Sequence, residues 1–103
     1  MPMHAEIEVR NVFHVKGRGA VAIGYPRRGT VRVGQRTEPL ALGAGPPTVL
    51  TLSAVEAVRS PDGGAGALGL VFREGPSLEE LRMVLRPGTI LRLEEATPGV
   101  GRA

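Results

Sequence analysis

The chain has 103 residues, 42% of them hydrophobic, with no cysteine and a formal charge of +3. That length suits one domain with a single core, and the hydrophobic share is too high for a disordered chain. The missing cysteines exclude disulfides, thiolate catalysis and cysteine-ligated zinc. No apolar run approaches the roughly 18 residues of a membrane-spanning helix, and the opening MPMHAEIEVR holds no signal-like apolar segment, so a cytoplasmic chain is expected. The isoelectric point near 10.6 reflects twelve arginines and one lysine. Arginine keeps its charge and grips phosphate or carboxylate with two parallel hydrogen bonds. One reading is an RNA or phosphate surface; the other is a base composition that favours Arg, Ala, Gly, Pro and Val. Three aromatics, Phe13, Tyr25 and Phe72, are too few for a multi-base stacking platform.

In chain order, residues 5–10 alternate apolar and polar side chains, the period of a half-buried strand. Phe13 and Val15 continue it past an irregularity at Asn11-Val12. Gly17-Arg18-Gly19 supplies a tight turn. Residues 20–24 form the next strand, with Val21 and Ile23 on one face, and residues 25–29 read as a loop with Gly29 suited to positive φ. Residues 30–33 alternate again, placing Val31 and Val33 inward. Leu40 and Leu42 mark a further strand, ended by the loop 43–47. Residues 48–58 form the longest β-like stretch. Leu50 and Leu52 share one parity and Val55 has the other, so a bulge is expected near Ser53-Ala54. After the loop 61–66, residues 67–72 are apolar on both parities and read as a central strand.

Ser77 and Glu80 have capping-box spacing, and Leu78, Leu81 and Leu85 share one face of a short helix near residues 78–85. Pro87-Gly88 stops it, residues 89–93 form the last strand, and 96–103 read as a flexible tail. Six or seven short strands with glycine-rich turns predict an all-β chain, a small closed antiparallel β-barrel over residues 1–95 with that one helix.

The glycines are turn formers, not a phosphate cradle. A dinucleotide fingerprint needs a third glycine three residues after Gly19 and then a helix; Ala22 stands there, inside a strand. No Gly-Lys-Ser/Thr occurs, so no nucleotide cofactor is expected. His4 and His14 are the only histidines, too few for a metal site, and Ser53 and Ser60 have no histidine partner nearby in sequence. No enzyme is expected. Glu56, three residues before Arg59, reads either as a solvent-facing carboxylate paired across strands or as an acid that accepts a hydrogen bond from a ligand.

Residues 12–24, Val-Phe-His-Val-Lys-Gly-Arg-Gly-Ala-Val-Ala-Ile-Gly, and 28–34, Arg-Gly-Thr-Val-Arg-Val-Gly, resemble the second domain of elongation factor Tu and its relatives. The similarity continues through Val55-Glu56 with Arg59, Ala65-Gly66, residues 69–73 and Arg86-Pro87-Gly88 to Leu91. It spans about residues 6–93. The resemblance implies a translation-protein β-barrel that contacts RNA, with tRNA or ribosomal RNA as partner. It carries the acid near the acceptor end of tRNA to Glu56 and the neighbouring base to Arg59, and it matches Arg18 and Arg73 to motif positions. The P-loop and Asn-Lys-x-Asp motifs of the GTPase do not occur in these residues.

The expectation is therefore a non-catalytic binding module without GTPase activity. Arg10, Arg18, Arg27, Arg28, Arg32, Arg36 and Arg59 would meet phosphates, and Tyr25 and Glu56 a base or sugar. A protein-interaction barrel is the alternative.

Overall fold

In the computed structural model, which describes residues 4–58 and 66–95, one antiparallel sheet is built from six strands: β1 (His4–Val15), β2 (Gly19–Arg28), β3 (Arg36–Thr37), β4 (Leu52–Val58), β5 (Ala67–Phe72) and β6 (Ile90–Glu94). A short helix, α1 (Leu78–Val84), stands between β5 and β6. The spatial order is β3-β6-β1-β2-β5-β4. No described helix is long and apolar enough to cross a membrane. The expected loop at 61–66 and tail at 96–103 fall outside the described residues, apart from Gly66, which turns with φ of 93°.

Alternation explains the core. Ala5, Ile7 and Val9 of β1, Leu91 and Leu93 of β6, Leu70 and Phe72 of β5 and Leu52 of β4 all point to one face, where they join Leu40, Leu50, Leu81 and Leu85. Ala20 and Ala22 line the same face of β2, and their small side chains leave room there for the helix. Ser77 Oγ accepts the Glu80 N–H at 3.1 Å and Glu80 Oε1 accepts the Ser77 N–H at 2.9 Å, completing the expected capping box. Arg82 fastens the helix to β1, its Nε and Nη2 both donating to the Val12 carbonyl at 3.2 Å.

Two bulges decide which side chains face outward. In β1, Val9 faces Gly24 and Asn11 faces Ile23, so Arg10 is an extra residue. The parity flips: Val12 enters the core, while Phe13 and Val15 turn to the outer face. In β2, Arg28 faces Glu6 and Pro26 faces Ile7, leaving Arg27 as the second extra residue. A third irregularity lies between Leu52 and Ala54 of β4, where the sequence placed a slip.

Four expectations change. The sheet does not close into a barrel. Its two ends meet at a short seam without a strand ladder: an isolated bridge between Arg36 and Thr51, with backbone hydrogen bonds from Gly34 N–H to the Leu52 carbonyl, from Leu52 N–H to the Gln35 carbonyl and from Thr37 N–H to the Leu50 carbonyl beside it. β3 is two residues long and Pro39 offers no donor to extend it. Residues 30–33 form no strand, because Gln35 holds them as a loop: its Oε1 accepts the Arg32 N–H at 2.9 Å and its Nε2 donates to the Thr30 carbonyl at 2.9 Å. Val33 is accordingly 58% exposed, not inward.

The expected loop at 25–29 is instead the continuation of β2 as far as Arg28. Its pairing with β5 ends at Gly24, so Pro26 occupies a stretch with a free side, where a missing N–H is tolerated. Leu40 pairs with Thr48 through one bridge, not a full strand.

Candidate nucleic-acid interface

The face of the sheet turned away from the core carries the charge. Directly opposed residues of an antiparallel pair share a face, so the register assigns the positions. Glu8 lies between Tyr25 and Ile90, Glu6 between Arg28 and Arg92, and Glu94 between His4 and Arg36. Arg10 and Arg27 project from the two bulges beside them. Five arginines and three glutamates therefore share one half of the outer face, which also carries the half-buried ring of Tyr25.

Glu8 is the hub of this half. Its Oε1 accepts Arg27 Nε at 2.7 Å and also Arg27 Nη2, and its Oε2 lies 3.4 Å from Arg10 Nη1. Hydrogen bonding from the Arg27 guanidinium holds the Glu8 carboxyl below the usual carboxylate range, against partial desolvation and with help from Arg10. Glu6 meets Arg92 Nε at 3.7 Å. The arginine partners stay more than half exposed, at 55–57% of their side-chain surface. The glutamates are 17–24% exposed, so the guanidinium groups form the outer, solvent-facing side of each pair.

The remaining site residues of the sequence reading lie elsewhere. Arg18, in the turn between β1 and β2, reaches across β5 to Glu56 on β4, with Nη2 2.5 Å from Oε2 and both side chains about half exposed. Glu56 sits opposite Gly69, which sits opposite Ile23. Four residues along β2 and two strands over separate Glu56 from Arg27, a backbone distance of about 16 Å at the usual rise and strand spacing. Arg27 and Arg28 thus share the outer face with Glu56 without reaching it. Arg73 follows β5 directly and is exposed, its backbone N–H donating to the Thr51 carbonyl at 2.7 Å. Arg59 lies outside the described residues.

The chain matches no protein-family model. The interface therefore stands on its own geometry. That geometry groups Tyr25, Arg27 and Arg28 with Arg10, places Arg36 at the edge of the same face, and separates them from the Arg18–Glu56 pair. Arg92 was passed over in the sequence, although its place between Leu91 and Leu93 already marks it as outward. The link of Glu8 to Arg27, nineteen residues on, needs the strand register to be seen.

A shallow groove of about 280 Å³ borders this half, lined by Arg36, Pro39 and Val49 with Glu38, Glu94 and Glu95 among others. Its three carboxylates repel phosphate. Arg32 is drawn away to the same end of the sheet, where its Nη2 donates to Glu95 Oε2 at 2.8 Å.

Proposed function

We propose that this chain is a non-catalytic module that binds structured RNA through the basic half of its outer sheet face. One observation carries the reading: Arg10, Arg27, Arg28 and Arg92 lie around Tyr25 on a single open surface, with Arg36 farther out on the edge strand of the same face. Guanidinium groups spread across such a face match the phosphates of a folded backbone, and one half-exposed aromatic ring suits an unpaired base or a sugar edge. The resemblance to the second domain of elongation factor Tu supports tRNA or ribosomal RNA as the partner. The acceptor-end acid it suggests, Glu56, belongs to a different part of the face and is engaged by Arg18, so the RNA contact is assigned to the Tyr25 side. A protein-docking reading is favoured by a separate apolar row, taken up below.

Filter binding of bulk tRNA at several salt concentrations tests the reading. Contacts to about three to five phosphates give a slope of log affinity against log salt of about −2 to −4. The double variant Arg27→Ala, Arg28→Ala should lower the affinity and make that slope shallower by about 1 to 2. Absence of binding at low salt, or an unchanged slope in the variant, would reject it.

A further inference from the structure

Past the bulge at Arg10 the outer face changes character. The register sets Phe13, Val21, Val71 and Ala54 in one row across β1, β2, β5 and β4. Val15, Ile23 and Val58 flank the row, and Val21 and Val58 close over Gly69, whose missing side chain they would otherwise meet at 3.2 and 3.3 Å. α1 packs on the opposite face, and the accessible apolar surface here is that of Phe13 and Val15, Val21 and Val71 being buried already. Phe13 and Val15 are 36% and 39% exposed, while Val21 and Val71 are 7% and 9%.

The rim of this row is basic. Lys16 and Arg18 project from the turn beside it and Arg73 from the end of β5. The acid on the row is Glu56, and Arg18 already neutralises it. Aliphatic side chains offer no π-face for stacked bases, and Phe13 alone makes a poor platform. An apolar strip with a positive rim complements a partner whose apolar side chains are interleaved with carboxylates.

We propose that this row docks an acidic protein segment bearing apolar side chains, and that a carboxylate of the segment takes Arg18 from Glu56. The apolar side chains of the segment cover Phe13 and Val15, and its carboxylates meet Lys16, Arg18 and Arg73. Exchange of one exposed carboxylate for another around Arg18 is nearly neutral in energy, so the gain comes from the apolar contact and from losing repulsion among the basic groups. The docking is independent of the RNA reading, because it uses the other half of the face.

The test is selection of random twelve-residue peptides on the immobilised full chain, followed by fluorescence anisotropy with synthetic copies of the enriched sequences. Enriched peptides are expected to be acidic and to carry large apolar residues. Val15→Glu should weaken them at least tenfold, and Arg18→Gln, at an exposed turn position, should weaken them about two- to fivefold. Glu56→Gln frees Arg18 and should tighten them by a similar factor, an effect that a purely structural ion pair would not give. Arg27→Ala with Arg28→Ala should leave peptide affinity unchanged while reducing tRNA binding.

Folding of each variant is checked by circular dichroism; if Val15→Glu unfolds, the Arg18→Gln and Glu56→Gln pair decides. Enrichment of basic or uncharged peptides, no enrichment, or unchanged affinity on Glu56→Gln overturns the proposal. So does a concentration-dependent dimer abolished by Val15→Glu, which assigns the row to a second copy, or tRNA binding abolished by Val15→Glu, which assigns it to RNA.

Discussion

Replacing Gly24 by alanine probes the pairing on which the outer face depends. Gly24 faces Val9 at the bulge that turns β1 over. A Cβ there would stand 2.3 Å from the Glu8 carbonyl oxygen and 3.1 Å from Ile7 Cγ1. Real Cβ contacts essentially never fall below 3.0 Å, so about 0.7 Å must be found in the backbone. β1 cannot easily yield it. β6 holds its other side at Glu8 through Ile90, and the Val9 N–H and carbonyl are bonded to Thr89 and Gly88 at 2.8 and 2.7 Å.

Overpacking of this kind costs about 1–3 kcal/mol, and an obstacle made of backbone belongs at the upper end. For a domain of this size each kcal/mol moves the melting temperature by about 4–8 °C, so Gly24→Ala should melt roughly 12–24 °C below the parent. Gly43 is the control: its φ is not positive and nothing lies within 4 Å of its Cβ position. Gly43→Ala should be neutral or gain about 0.4–1 kcal/mol from a less flexible unfolded chain. Thermal melts by circular dichroism read both. A Gly24→Ala protein melting within a few degrees of the parent would refute the β1–β2 register and the outward turn of Phe13 with it.

Three further outcomes follow from single contacts. Gln35 is 1% exposed and its amide serves Arg32, Thr30 and Glu95; Gln35→Ala removes three hydrogen bonds to partners that water can still reach and should cost about 1–2 kcal/mol in urea unfolding. Ser77→Ala removes the cap of α1 and should cost about 1 kcal/mol in the same assay, with Ser77→Asp restoring most of it. Arg27→Ala should remove the larger part of a pH-dependent contribution from Glu8, leaving that of Arg10. Because the folded-state carboxyl of Glu8 is lowered, that contribution is complete above the ordinary glutamate range and fades as pH falls through the lower folded value. Parent and variant should therefore differ at neutral pH and converge in acid; a difference that persists at pH 2 contradicts the assigned pair.

Features set by a few neighbouring residues were legible in the sequence. The Ser77 and Glu80 cap, the leucine face of α1, the turn at residues 17–19 and the slip near Ser53 are local, and each appears where the pattern put it. The fate of residues 30–33 was not legible, because it turns on one buried glutamine that pins a loop which alternates like a strand. Closure of the sheet failed for a similar reason: whether a two-residue β3, stopped short of Pro39, carries a ladder also depends on its partner across the seam.

The candidate site was half visible. Tyr25, Arg27 and Arg28 were named from composition and resemblance, but a loop was expected where the strand continues. The inserted Arg10 was unreadable in its consequences. One extra residue moves Phe13 and Val15 from core to surface, and alternation alone would have kept them inside.

The most direct measurement is an amide NMR titration of the labelled chain with tRNA. Shifts are expected to cluster at residues 4–10, 25–28, 36 and 90–94, and to fade as salt is raised. Shifts confined to the helix or to residues 40–52, or a spectrum that tRNA leaves unchanged at low salt, would contradict the assignment of the basic outer face.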